Sequence, residues 1–70
     1  MQFIEKSIRE YLDALTHVHG EAYTKKAVVD HRGGAQIFVK YPGHAEGMLV
    51  NLGTLELMTR NLLERAAQAA

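Results

Sequence analysis

Two amphipathic helical patterns bracket an extended stretch broken at Gly33-Gly34, and this layout limits the fold more than any other feature of the chain. From about Phe3 to His19, residues Ile4, Ile8, Tyr11, Leu12, Leu15 and Val18 recur at helical spacing. Lys6, Arg9, Glu10, Asp13 and His17 fall on the opposite face. From about Thr54 to Ala69 the apolar stripe is Leu55, Met58, Leu62, Leu63, Ala66 and Ala69. Leu57 is the outlier, because helical geometry sets it among polar neighbours. Gly20 stops the first helix, since glycine accepts a left-handed backbone without steric cost. Thr54 or Asn51 supplies the cap of the second.

Between the helices the pattern is extended. Glu21 to Asp30 is β-prone through Tyr23, Thr24, Val28 and Val29, and His31-Arg32-Gly33-Gly34 reads as a tight turn. Ala35 to Tyr41 alternates, with Ile37, Val39 and Tyr41 on one face and Gln36, Phe38 and Lys40 on the other. Pro42-Gly43 ends that strand, and Met48 to Leu52 is expected as a third, short one. The predicted order is α-β-β-(β)-α over residues 1–70 as a single domain. The expected fold class is α+β: an antiparallel hairpin or three-stranded meander packed against two helices in two layers.

A chain of 70 residues has a thin core, and small domains of this kind rely on disulfides, a metal or association. Cysteine is absent, so disulfides and thiolate metal sites are excluded. Formal net charge is zero, which counts against a general nucleic-acid binder. No apolar run reaches the roughly 20 residues needed to span a bilayer. Met1-Gln2-Phe3-Ile4-Glu5-Lys6 lacks the order of a signal peptide. A cytoplasmic protein is expected.

The functional expectation follows from surface left over. A turn of two or four residues at 31–34 puts Thr24, Lys26 and Val28 on the face of Ile37, Val39 and Tyr41. The other face then carries Tyr23, Lys25, Ala27, Val29, Phe38 and Lys40, whereas a three-residue loop reverses the assignment. If the helices cover the first face, Tyr23, Val29 and Phe38 await a partner. The expectation is a non-enzymatic interaction module, an adaptor, regulator or inhibitor of bacterial or phage type, acting as a homodimer and on another protein. Its contact residues are Tyr23, Val29 and Phe38, rimmed by Lys25 and Lys40, with Leu57 and Phe3 as apolar outliers on the helices.

Two alternatives use the same residues differently. Tyr23 and Phe38 could stack bases while Lys25, Lys40 and Arg32 meet phosphates. The α-β-β-β-α order resembles the double-stranded RNA-binding domain in topology. That family places lysines at the start of its last helix, where this chain has Gly53-Thr54-Leu55-Glu56-Leu57, and no family is assigned. The second alternative is a metal held by His19 and His44 with Glu21 and Glu46, which a hairpin brings toward one another. Ser7 is the single serine and no nucleophilic triad is supported. Gly33-Gly34 opens no helix and is no phosphate loop. No cofactor is expected.

Overall fold

The computed structural model describes the backbone of residues 2–69 and the side chains of residues 4–68. The elements run α1 (Gln2–His19), α2 (Glu21–Lys26), β1 (Val28–Gly33), β2 (Gln36–Lys40), β3 (Met48–Asn51) and α3 (Leu52–Ala69). The strands form one antiparallel sheet in the order β1-β2-β3. The α+β class and the third strand are therefore as expected, with one helix more than the pattern gave.

The core lies between one face of the sheet and the two long helices. Ile4, Tyr11 and Leu15 of α1 meet Leu55 of α3 and Ile37 and Val39 of β2, all buried. Burying a side chain of this size contributes roughly 1.5–3 kcal/mol. Ala14 and Thr59 are also buried, which the apolar stripes did not single out. Both are small, and Thr59 satisfies its hydroxyl by donating to the Leu55 carbonyl at 2.9 Å. Leu63 departs from its expected role: it is 49% exposed, at the margin of the stripe. Residues that flank the grooves rise together in number along α1 and α3, Ser7 and Glu10 beside Glu56 and Thr59, then Leu15 and His19 beside Leu62 and Arg65. The two helices therefore run in the same general direction. The Cα atoms span 36 × 26 × 16 Å, a thickness that holds one helix layer over one sheet. Among the described residues no helix is long and apolar enough to cross a membrane.

The segment 21–26 is a helix and not the expected strand. Gly20 explains the difference. With φ at +93° it turns the chain sharply, and the helix restarts at once. Its carbonyl accepts from the Thr24 backbone N–H and from the Thr24 hydroxyl, both at 3.3 Å. The Thr16 and Thr24 hydroxyls lie 2.9 Å apart and tie α2 to α1. These local bonds outweigh the β-propensity of Tyr23 and Thr24, which is weak when tertiary contacts oppose it.

The hairpin also differs in register. Val28 pairs with Lys40, Val29 with Val39, Asp30 with Phe38 and His31 with Ile37, but Gly33 pairs with Gln36. Arg32 is thus an extra residue, a β-bulge next to the loop at 34–35. The His31 imidazole Nε2 lies 2.7 Å from the Gly34 carbonyl oxygen and closes the loop. One inserted residue inverts the faces of β1. Val29, not Val28, shares the core side with Ile37 and Val39.

Candidate functional site

The helix-free face of the sheet presents apolar side chains from all three strands. Pairing across the sheet places Asp30, Phe38 and Leu49 in one row and Val28 with Lys40 in the next. Leu49 is 60% exposed and Val28 is 44% exposed. Phe38 is half-buried between them. Arg32 lies with its guanidinium carbon 4.7 Å from the centre of the Phe38 ring, and its Nε is 3.6 Å from an Asp30 carboxylate oxygen. On the far side the ring passes close over Gly47. Each strand therefore contributes one apolar side chain to this face, and Asp30, Arg32 and Lys40 surround them.

The two sheet edges differ in protection. β1 carries Asp30, His31, Arg32 and the bulge, the devices that discourage strand addition. β3 is Met48-Leu49-Val50-Asn51, without charge or proline, and Met48 is 41% exposed. It is the open edge of the sheet.

The expected contact residues are divided by this geometry. Phe38 and Lys40 stay on the outer face. Val29 is half-buried against the core, and Tyr23 belongs to α2 and packs on the core from its end. Lys25 is on α2 as well and rims no sheet face. Leu57 is 52% exposed, but it lies on α3, two residues from the buried Leu55 and so about 200° around the helix. It points away from the sheet and cannot join a patch with Phe38. The Phe3 side chain is outside the described residues. Val28 and Leu49 were missed: the first because the bulge reverses β1, the second because a four-residue strand has no alternation long enough to read. The base-stacking platform loses its shape too, since Tyr23 and Phe38 lie on different surfaces.

The histidines His19 and His44 meet a cluster of tyrosines and no metal-type donor set. His19 stacks on Tyr23 with ring centres 4.3 Å apart, Tyr23 tilts against Tyr41 at 6.4 Å, and Tyr41 meets His44 edge-on at 5.9 Å. The two imidazoles stand at the ends of this row, separated by two phenol rings. Among the described residues no three histidine, aspartate or glutamate side chains converge as they would on a metal ion. His19, Glu21, His44 and Glu46 are therefore not gathered as a ligand set.

Tyr11 anchors the cluster from below. It is buried, and its hydroxyl shares a hydrogen bond with that of Tyr41. Burial first, and then the bond to Tyr41, pushes the Tyr11 phenol far above its ordinary value of 10.0. Above that value the unfolded chain releases a proton that the folded chain keeps. The unfolded state then binds fewer protons, so stability falls as pH rises. We expect unfolding free energy to drop above pH ~10 by up to about 1.4 kcal/mol per pH unit from this group. Urea titrations of the parent and Tyr11→Phe chains between neutral and alkaline pH check it: the variant loses that part of the slope.

No family model, no curated protein and no solved structure matches this chain. The functional reading therefore rests on the residues themselves.

Proposed function

We propose that this protein is a small non-enzymatic interaction module that works by associating with a second copy of itself, through the outer sheet face centred on β3. The observation that carries the reading is the set Val28, Phe38 and Leu49, one side chain from each strand in two adjacent rows, on the face that no helix covers. The face carries both signs of charge, Asp30 beside Phe38 and Lys40 beside Val28, and a twofold contact presents the same patch from both copies. The open β3 edge lets the contact extend through backbone pairing.

Magnitudes favour a modest dimer. A standard interface covers about 800 Å² per partner. One copy exposes 4994 Å² in all, and a three-stranded face is only part of that. Burying Leu49, Val28 and the exposed part of Phe38 contributes on the order of 1 kcal/mol each per copy. Micromolar association corresponds to about 8 kcal/mol, more than the roughly 6 kcal/mol such a patch supplies before the cost of association, so a dimer weaker than micromolar is expected.

Leu49→Lys tests the contact with little risk to the fold, because the side chain is mostly in water already. A charge buried at the centre of the contact weakens association at least tenfold, and the variant elutes as a monomer with unchanged circular dichroism. Leu57→Lys, on the far side of α3, leaves association intact. If Leu49→Lys associates as the parent does, the outer face is not the contact.

A further inference from the structure

We propose that the groove between the end of α1, α2, the Tyr41–His44 turn and the second half of α3 is a binding site for a small planar aromatic carboxylate. It has a volume of about 400 Å³, within the range of small-ligand sites. Its walls are aromatic and apolar: Tyr11, Tyr23 and Tyr41 on one side, Met58 and Leu62 on the other. A flat ring fits such walls because phenol faces and a thioether make favourable contact with π surfaces.

Among the described residues no acidic side chain lines the groove. Arg65, Asn61, His19 and His44 line it. The chain as a whole carries 8 acidic and 8 basic residues, so this is a local departure from balance. Arg65 has no carboxylate within 4.0 Å among the described residues. Its helical neighbours at three and four residues are Asn61, Leu62, Gln68 and Ala69, none of them acidic. Glu46 faces an adjoining hollow of about 600 Å³ on the other side of Tyr41 and His44. A guanidinium without a carboxylate partner among the described residues, beside an amide, is suited to a carboxylate, which it grips with two parallel hydrogen bonds.

Assembly of the site also accounts for α2. The Gly20 turn carries Tyr23 back over His19, and the stacked pair forms one wall. The buried Tyr11 hydroxyl holds Tyr41 from beneath.

Two-dimensional amide NMR of the full chain titrated with 2-naphthoate tests the proposal. Saturable shifts are expected at Tyr23, Tyr41, His44 and Asn61, with dissociation in the range of about 0.1–1 mM. Arg65→Gln, and separately the uncharged 2-naphthylmethanol on the parent chain, each weaken binding about tenfold, the loss of one charge-assisted pair. Absence of saturable shifts up to about 5 mM overturns the site, with that limit set by the affinity range above. So do shifts confined to the Phe38 and Leu49 face, or equal binding of the acid and the alcohol.

Discussion

Ile37→Ala is expected to remove about half of the stability of this protein. Ile37 is fully buried in the middle strand and packs among the residues of both long helices. Truncation to alanine removes its contacts and leaves a hollow that a strand paired on both sides cannot collapse to fill, since Ile37 is held by His31 on one side and Val50 on the other. Such losses run to about 2–5 kcal/mol. A chain of 70 residues has roughly 3.5–10 kcal/mol in total at the usual stability per residue. The variant should therefore lose roughly half of the stability of the parent chain. Leu63→Ala provides the contrast: the side chain is half in water, and its loss should stay within about 1 kcal/mol. Urea unfolding of the two variants decides the matter. Near-equal losses would mean that the core is not where the packing places it.

The second large effect concerns a glycine that the sequence offers no reason to notice. A Cβ built on Gly47 would lie 2.3 Å from Phe38 Cζ, 2.6 Å from Phe38 Cε1 and 2.9 Å from the Val39 carbonyl oxygen. The ring can swing away, but the carbonyl belongs to the sheet and cannot. Gly47→Ala should then cost about 1–3 kcal/mol, the usual range for overpacking. It should also drive Phe38 out from its place against Arg32. Gly53→Ala is the matched control. It sits in the first turn of α3, its nearest neighbour would be 3.5 Å away, and it should be neutral or stabilising by up to about 1 kcal/mol. Thermal melts give both signs at once. Chemical shifts of the Phe38 ring report the displacement, and an unmoved ring in Gly47→Ala would contradict the close approach.

Much of the fold was legible because it depends on periodicity. The stripes of α1 and α3 and the alternation of β2 are strong local signals; of the two cap candidates it is Asn51, not Thr54, whose side-chain oxygen accepts the Thr54 N–H at 2.7 Å. The errors share one cause, which is that a single residue can reset a short element. Gly20 converts a β-prone hexapeptide into α2, and Arg32 bulges β1 so that Val28 and Val29 exchange faces. Neither event leaves a mark in composition. The candidate surface inherited both errors. Phe38 and Lys40 were placed correctly because β2 is long enough to show its pattern. Val29 and Tyr23 were not, and Leu49 became visible only once β3 had a register. The tyrosine groove was beyond reach, since Tyr11, Tyr23 and Tyr41 come from three elements and only the packing unites them.

In the proposed dimer a second copy of the chain covers the helix-free face, with Val28, Phe38 and Leu49. Light scattering on the intact protein, read across a concentration series, tests it most directly. A dimer through this face raises the mass toward twice the 7.8 kDa of one chain at submillimolar concentration. A mass that stays at that of one chain up to about 1 mM, where even a weak contact of roughly 4 kcal/mol would be half formed, would contradict it.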